Sequence, residues 1–485
     1  MQLYNSLTRK KEEFIPVTPG KVSLYSCGIT AYDLSHIGHA RSAVVFDILV
    51  RYLRSQDYDV TFIRNFTDID DKIIKRANEE GISWRQVVDT YITAFHDDMD
   101  ILGVQRATVE PRATEHISEM IMLIEKLIAK DSAYVTPDGD VYFRVRSFKE
   151  YGKLSGRSVD ELESGARVAP GESKNDPLDF ALWKSAKPGE PFWDSPWSKG
   201  RPGWHIECSA MSEKYAPLPL DIHGGGQDLI FPHHENEIAQ SEAAMNGPFC
   251  NFWVHNGFVQ VNSEKMSKSL GNFRTIRDIL SSYLPETLRF FLITRHYHSP
   301  IDFTFDAMDE AEKNLRRFYE TLTLVKEELA RQKWSTATFD EVFVKEFDEL
   351  KISWTTAMDD DLNTAAAVGH MNSLLRLINR LAEDKNARKT EGAKALYSRF
   401  LEAMVGWGDI LGLFRRNSVE FLDELKTCRA RRISLDIDKV ENLMQQRLRA
   451  RQNKNYEQSD ALREELSRLG VSVRDTPQGA TWDIA

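Results

Sequence analysis

The chain of 485 residues carries a net charge of -11, and 41% of its residues are hydrophobic and 28% charged, which is typical of a globular protein. At roughly 150 residues per domain, this length predicts about three domains. No apolar run approaches the roughly 20 residues that span a bilayer, and no secretory signal is visible, so we expect a cytoplasmic protein with no membrane contact. The 4 cysteines lie far apart, which argues against a disulfide framework and leaves them available as metal ligands.

The first part of the chain has the pattern of an α/β domain. Residues 21–65 read as a strand, a helix that begins near His36 and a second strand, because apolar residues recur at helical spacing from Val44 to Leu53. Such a unit implies parallel strands, and we therefore expect a doubly wound, Rossmann-like parallel sheet. The fingerprint Gly-x-Gly-x-x-Gly is absent, so a nicotinamide enzyme is not indicated.

The remaining segments differ in character along the chain. Residues 132–203 carry several proline–glycine turn signals, which predicts an insertion of short strands and loops. Residues 204–260 return to a mixture of strand and helix and would complete the sheet. Residues 306–415 contain no proline and predict a helical bundle, and residues 426–485 form a small terminal unit.

The terminal unit has a local excess of positive charge on an otherwise acidic protein. Between Lys426 and Lys454 there are 9 lysines and arginines against 3 acidic residues. On charge alone, a solvated helix face is favoured over a nucleic-acid partner as the explanation of this excess.

Four residues from distant parts of the chain form a candidate metal site. His233 and Glu237 are four residues apart, so on a helix both would face one ion, and thiolate with imidazole ligands favours zinc. Cys27 ends the first predicted strand and Cys208 follows a histidine-containing segment, and carboxyl ends of parallel strands meet at one edge of a sheet. Taken singly, a buried cysteine is usually an apolar filler and a His-x-x-x-Glu pair is usually a surface ion pair.

Two short motifs have the character of a nucleotide site. His36-Ile37-Gly38-His39 lies where strand gives way to helix, and a helix amino end with two imidazoles can bind phosphate. Residues 223–228, which include Gly225, read as a second flexible loop that could hold adenosine. As isolated strings, both could be ordinary turns.

A third motif contains two lysines three residues apart. Lys265 and Lys268 lie in Glu264-Lys265-Met266-Ser267-Lys268-Ser269, which we expect to be a mobile loop. Their ammonium groups could neutralise charge that develops on a phosphoryl group, although an exposed loop would have the same composition.

Together these motifs resemble the class I aminoacyl-tRNA synthetases, and among them the cysteinyl-tRNA synthetase family. The two signature motifs, 36–39 and 265–269, stand in the expected order on either side of an insertion, and the resemblance covers essentially the whole chain. Residues 358–364 resemble the opening of the family's helical domain and 447–482 its anticodon-binding tail. The resulting divisions are two catalytic halves, 1–131 and 204–260, on either side of an insertion, 132–203. They are followed by a loop and stem-contact region, 261–320, a helical bundle, 321–425, and an anticodon-binding unit, 426–485.

The resemblance implies a specific activity. ATP with Mg²⁺ would activate L-cysteine as cysteinyl-adenylate, and the cysteinyl group would pass to the 3′ end of tRNA(Cys), in a monomeric enzyme. One Zn²⁺ per chain would select the substrate thiol. The resemblance implies these residues by role: for zinc Cys27, Cys208, His233 and Glu237; for catalysis His36, His39, Lys265 and Lys268; for ATP binding the same four with Gly38 and Gly225; for the substrate Thr67, Trp204 and Asp228.

Two other functions stay open at this stage. A cysteine ligase that passes the same adenylate to an amino sugar would need neither the long helical domain nor the terminal unit. A non-catalytic RNA-binding relative would have no need for paired histidines and loop lysines.

Overall fold

The computed structural model describes residues 1–159, 173–265, 272–476 and 479–484. The chain starts with an antiparallel hairpin, β1 (Gln2–Asn5) and β2 (Lys10–Glu13), and continues into β3 (Lys21–Thr30), α1 (Ile37–Ser55) and β4 (Asp59–Thr67). β3 and β4 pair in parallel, which confirms the strand, helix and strand expected over residues 21–65.

Three helices and a separate small sheet follow. The helices are α2 (Asp71–Glu80), α3 (Trp84–Ile101) and α4 (Ile117–Ala129). The strands β5 (Ala133–Val135), β6 (Val141–Phe143), β7 (Phe180–Ser185) and β8 (Gly200–Pro202) pair antiparallel in that order. The turn-rich segment therefore does contain short strands.

The next elements complete the central sheet. They are α5 (Trp204–Tyr215), β9 (Leu220–Gly226), α6 (Glu235–Met245) and β10 (Cys250–Asn256). The sheet has the order β10-β9-β3-β4, and all its pairs are parallel. Carboxyl ends of four strands therefore lie at one edge.

Alternate residues of the central strands face opposite layers of helices. Leu24 and Phe62 belong to the same buried cluster as the apolar face of α1. Tyr25 and Ile63, one residue further along each strand, pack into a second cluster with residues of α4 and α5. This period of two covers both faces of the sheet with helices and confirms the doubly wound α/β fold.

One local expectation was wrong. Residues 223–226, predicted as part of a flexible loop, belong to β9 in the middle of the sheet. A Cβ atom on Gly224 would lie 2.2 Å from the carbonyl oxygen of Val254 and 2.6 Å from the Phe46 ring. The glycine therefore allows close packing in a strand rather than a turn.

A small sheet connects the catalytic domain with the bundle. β11 (Val259–Val261) pairs with β12 (Glu264–Lys265) and β13 (Ile301–Phe303), and α7 (Ile276–Leu280) and α8 (Pro285–Ile293) lie between them in the chain. The helices that follow are α9 (Phe305–Leu329), α10 (Glu341–Asp359), α11 (Thr364–Glu383), α12 (Glu391–Leu411) and α13 (Ser418–Arg432). The helical bundle expected over residues 306–415 is thus present.

The terminal unit has a core of its own. It consists of α14 (Ile437–Gln452), α15 (Tyr456–Arg468) and the hairpin of β14 (Val471–Thr476) with β15 (Gly479–Ile484). Val440, Leu466 and Trp482 pack in its separate apolar cluster. α13 is continuous across residue 426, where the sequence suggested that this unit begins.

None of the helices in the described ranges is long and apolar enough to cross a membrane.

Candidate active site and metal centre

A bulge in β3 sets the position of Cys27. The pairing of β3 with β4 shifts register between Ser26 and Ile29, and Gly28 donates its backbone N–H to Asn65 Oδ1 at 2.9 Å. A Cβ atom on Gly28 would lie 1.6 Å from the backbone oxygen of Asn65, so only glycine permits this approach. Bulges re-aim neighbouring side chains, and here the Cys27 thiol points towards α5 and α6.

The four residues predicted as zinc ligands come together. Cys27 Sγ lies 3.7 Å from Cys208 Sγ and 3.6 Å from Glu237 Oε1. His233 Nε2 lies 3.6 Å from Cys208 Sγ and 2.9 Å from Glu237 Oε1. A tetrahedral zinc ion with bonds of about 2.0–2.3 Å needs ligand atoms about 3.3–3.8 Å apart, so most of these separations fit without rearrangement.

His233 reaches this position from outside the helix that the sequence suggested. The short π-helical segment Ile230–His234 contains the cis peptide bond between Phe231 and Pro232, and α6 begins only at Glu235. The spacing of four residues still brings His233 and Glu237 together, because both sit on consecutive turns of helical backbone.

Two further histidines surround the same point and were not predicted as ligands. His223 Nε2 lies 3.7 Å from Cys27 Sγ and 3.2 Å from Glu237 Oε2. His234 Nε2 lies 3.2 Å from Cys27 Sγ. The sequence motifs contained both residues, but only the register of β9 beside β3 reveals that they face Cys27.

The pKa values of three candidate ligands are shifted by burial and by their neighbours in the cluster. Burial opposes ionisation of Cys208, yet hydrogen bonds from Cys27 and His233 lower the pKa of its thiol to about 6. Burial also disfavours a charged Glu237, but His223 and His233 hold the pKa of that carboxyl well below its usual range. Burial likewise opposes charge on His233, whereas Glu237 and Cys208 raise its pKa to about 10.

This donor set fits a divalent metal ion. The ligand atoms of Cys27, Cys208, His233 and Glu237 all lie within 4.8 Å of one another, and the last three side chains are fully buried. A cation would displace the proton of His233 and lie between the same groups, which couples metal binding to proton release. Two sulfur donors favour zinc over magnesium or calcium.

The three residues predicted to bind the substrate differ in how they are related to this cluster. The partly exposed Trp204 ring stacks on His233 with ring centres 4.0 Å apart. Thr67 Oγ1, at the end of β4, donates to Glu207 Oε2 at 2.6 Å, and Glu207 precedes Cys208. Asp228 is exposed in the turn after β9.

The two histidines of the first signature motif cap α1. His36 Nδ1 accepts from the backbone N–H of Gly38 at 3.0 Å and of His39 at 3.3 Å, and His39 Nδ1 accepts from the backbone N–H of His36 at 3.3 Å. The backbone donors that the sequence offered to phosphate are therefore already bonded. Because each Nδ1 accepts, each neutral ring carries its proton on Nε2.

The segment after the lysine motif is joined to the same helix end. Ile37 donates its backbone N–H to Arg274 at 3.1 Å, and Ile276 donates to Ser35 at 3.0 Å. The Phe273 ring meets the His36 ring edge-on at 5.2 Å. Lys265 ends β12, whereas Lys268 lies outside the described residues.

The predicted nucleotide glycine lies beside the metal cluster. A Cβ atom on Gly225 would come within 3.5 Å of the His234 ring and 2.7 Å of the Leu229 side chain. The second motif and the candidate ligands therefore share one wall of the pocket.

Comparison with known proteins gives the family. The chain matches the class I (C) tRNA synthetase catalytic domain over residues 13–313, the DALR domain over 353–415 and the cysteinyl-tRNA ligase anticodon binding domain over 438–482. It is 66% identical over 485 residues to a protein of Oleidesulfovibrio alaskensis named cysteine--tRNA ligase, and the match covers 100% of both chains. The chain belongs to the cysteinyl-tRNA synthetase family.

Other relatives agree with this membership. The cysteine--tRNA ligase of Nitratidesulfovibrio vulgaris is 64% identical over 484 residues, with 100% of each chain covered. A solved structure of Mycobacterium tuberculosis methionyl-tRNA synthetase in complex with methionyl-adenylate superposes with a TM-score of 0.63 at 16% identity, covering 83% of this chain and 93% of that one. At this identity the superposition shows a shared fold.

The terminal unit contains the region that matches the anticodon binding domain of the cysteinyl-tRNA synthetase family. Many of its cationic side chains, however, make contacts within the protein. Arg447 forms two hydrogen bonds with Asp475, at 2.8 and 3.0 Å, and Arg432 bonds Glu312 at 2.8 Å. The Lys426 ammonium lies 3.3 Å from the centre of the Trp482 ring. The exposed cations of this stretch include Arg431, Arg449 and Lys454. The net charge of this segment therefore overstates the number of cationic side chains that are exposed to solvent.

Proposed function

We propose that the chain activates L-cysteine with ATP as cysteinyl-adenylate and transfers the cysteinyl group to tRNA(Cys). The observation that carries the proposal is the cluster of two thiols, an imidazole and a carboxylate, three of them buried, in a chain that belongs to the cysteinyl-tRNA synthetase family. A sulfur-rich site is the chemistry needed to tell cysteine from serine.

Cys27, Cys208, His233 and Glu237 would hold one Zn²⁺ per chain. Bound zinc would favour a substrate thiolate over the hydroxyl of serine, because it binds sulfur strongly at about 2.3 Å. Trp204, stacked on His233, covers one side of the ligands, while Thr67 and Asp228 would contact the amino acid. Fixing the carboxylate of cysteine near the α-phosphate of ATP then supplies much of the rate by positioning.

The phosphates of ATP would bind at the amino end of α1. The Nε2–H groups of His36 and His39 would donate to phosphate oxygens, and Gly38 would let the nucleotide approach closely, with Gly225 as a further contact. Lys265 and Lys268 would add positive charge, with Lys268 the candidate for stabilising the transition state at the α-phosphate. Mg²⁺ would be held by the phosphates and water rather than by a protein cage.

The second step would use tRNA as the acceptor. A 2′ hydroxyl of its terminal ribose would attack the adenylate, as the class I motifs suggest. Residues 426–485 would contact the anticodon, where unpaired bases can be stacked and read. We further propose a cytoplasmic monomer.

Pyrophosphate exchange together with metal analysis tests the proposal. The purified protein should exchange labelled pyrophosphate into ATP with cysteine and far more slowly with serine, and it should contain one zinc ion per chain. Full cysteine activation in a preparation freed of metal would contradict the role of zinc.

The molecule that accepts cysteine distinguishes the proposed activity from its alternatives. With tRNA(Cys) the enzyme should form cysteinyl-tRNA, and an amino sugar should accept no cysteine. Transfer to the amino sugar would favour the small-molecule ligase, and no exchange at all would favour an RNA-binding relative.

A further inference from the structure

Cys27 and Glu237 belong to two ligand sets at once. The first set adds Cys208 and His233, and the second adds His223 and His234. In each set all the ligand atoms lie within 4.8 Å of one another. The two sets therefore share the Cys27 thiol and the Glu237 carboxylate, and Cys27 Sγ lies 3.6 Å from Glu237 Oε1.

The second set has spacings suited to a metal ion. Cys27 Sγ is 3.7 Å from His223 Nε2 and 3.2 Å from His234 Nε2. Glu237 Oε2 is 3.2 Å from His223 Nε2, and Glu237 Oε1 is 4.0 Å from His234 Nε2. A tetrahedral ion needs separations of about 3.3–3.8 Å, so small side-chain rotations suffice. Neither set is clearly better in geometry.

We propose that Cys27, His223, His234 and Glu237 form a second, mutually exclusive site for the same divalent ion, which holds the ion when the first set is incomplete. The inference rests on the proposed zinc site. On this proposal the wild-type chain binds one ion, and two ions per chain, bridged by Cys27 and Glu237, would overturn it.

The surroundings of His234 support a role as ligand. His234 Nδ1 lies 2.8 Å from His255 Nε2, and His255 Nδ1 lies 2.8 Å from Ser6 Oγ. This chain of hydrogen bonds fixes the ring and keeps its Nε2 directed at Cys27, which is the outer support that metal-binding histidines usually have.

The second set should bind more weakly than the first. It offers one thiolate instead of two, and His223 Nδ1 has no hydrogen-bond partner within the described residues. Loss of such outer support typically lowers metal affinity about 10- to 100-fold. The complete first set would therefore hold the ion in the native enzyme.

Three double variants of the full-length chain, loaded with Co²⁺, test the proposal. Cys208→Ala with His233→Ala leaves only the second set complete, and His223→Ala with His234→Ala leaves only the first. Cys208→Ala with His234→Ala breaks both sets with the same number of substitutions and is the matched control. Bound metal per chain, Co²⁺ affinity and the intensity of the thiolate-to-cobalt charge-transfer band are measured.

The variant with only the second set should bind one Co²⁺ per chain, about 10- to 100-fold more weakly than wild type, with a band reduced to that of a single thiolate. The control loses a ligand from each set and should bind at least a further 10-fold more weakly, since even the loss of a group that only supports a ligand costs about 10-fold. Equal affinities of these two variants would overturn the proposal. The variant with only the first set should keep the full two-thiolate band; its loss would instead contradict the proposed zinc site.

A single variant decides the matter if the double variants do not fold, as judged by circular dichroism. In Co²⁺-loaded Cys208→Ala, proton NMR should show two hyperfine-shifted imidazole N–H resonances, from His223 and His234. Wild type should show one, from His233. One resonance in the variant would mean that water has replaced Cys208, and the second set would be refuted.

Discussion

Gly28 shows how a single residue positions the candidate metal site. Its lack of a Cβ atom permits the bulge that turns Cys27 towards Cys208 and Glu237. The sequence identified Cys27 through its place at the end of a predicted strand, but it gave no sign of the register shift that aims the thiol.

Replacing Gly28 with alanine should therefore disturb metal binding. The new methyl group would lie 1.6 Å from a backbone oxygen, so β3 must move away from β4. We expect a loss of stability of about 1–3 kcal/mol or more and a zinc content clearly below that of the parent. Urea unfolding and atomic absorption measure both.

Gly247→Ala is the matched control, because its Cβ would meet only open space within the described chain. It should keep both zinc content and urea midpoint. A Gly28→Ala variant with unchanged zinc content would show that the bulge does not position Cys27.

The candidate ligands were predicted from their joint placement, and the histidines around them were not predicted. Taken singly, Cys27, Cys208 and the pair of His233 with Glu237 have ordinary structural explanations. His223 of β9 and His255 of β10 come near Cys27 because β9 lies between β3 and β10 in the sheet, and His234 follows β9 in the segment before α6. Strand order is a tertiary property that composition and spacing do not encode directly.

Among the features used to predict secondary structure and exposed surface, glycines and net charge were the least reliable. Three consecutive glycines suggested a loop, whereas they allow β9 to pack closely between its neighbours. Helical segments were easier to predict, because apolar periodicity and the absence of proline report the buried face directly.

The exposed cations of the terminal unit should contribute to tRNA binding. Replacing Arg431, Arg449 and Lys454 with alanine removes three charges that no described acidic partner needs. The KM for tRNA(Cys) should rise and its salt dependence should weaken, since fewer counterions are released on binding. Pyrophosphate exchange, which needs no tRNA, should be unchanged.

A triple alanine variant of the exposed Lys10, Lys21 and Lys75 on the catalytic domain serves as the control. An equal rise in KM for both triple variants would indicate a non-specific charge effect and argue against an anticodon contact.

Glu286 joins α8 to the bundle and should make stability depend on pH. Burial raises the pKa of its carboxyl, although hydrogen bonds from the Phe414 N–H and the Tyr319 hydroxyl oppose the shift. The folded chain therefore holds this proton more tightly than the unfolded chain. The resulting stabilisation is complete below the unfolded pKa of about 4.3 and is lost as the pH rises through the raised folded pKa.

Glu286→Gln removes this titration. From pH 5 to pH 8 the urea midpoint of the variant should rise relative to wild type, whereas an exposed Glu125→Gln control should keep a constant difference. A constant difference for Glu286→Gln as well would show that this carboxyl does not contribute to the pH dependence.

At the scale of the whole molecule, the catalytic domain and the bundle share one apolar core. The cluster that contains Leu24 of β3 also contains Leu411 of α12. Asp47 of α1 bonds Arg289 of α8 at 2.5 Å, and Arg289 donates to the Leu411 carbonyl at 2.7 Å. The sequence suggested separate units in order along the chain, but it did not show how firmly they are joined.

Replacing Asp47 with asparagine should destabilise the whole catalytic core. Arg289 and Asp47 are both buried, and removing one partner of a buried ion pair costs about 3–5 kcal/mol. The urea midpoint should fall sharply. Asp348→Asn, which breaks an exposed pair with Arg399, should cost less than about 1 kcal/mol. Equal losses for the two variants would contradict a central role for the buried pair.

The central claim is that the pocket of Cys27, Cys208, His233 and Glu237 uses zinc to recognise the sulfur of the substrate. X-ray absorption at the zinc edge, with and without cysteine, tests it directly. We predict two sulfur neighbours at about 2.3 Å in the free enzyme, three after addition of cysteine and two after addition of serine. A sulfur count that stays the same when cysteine binds would contradict the account.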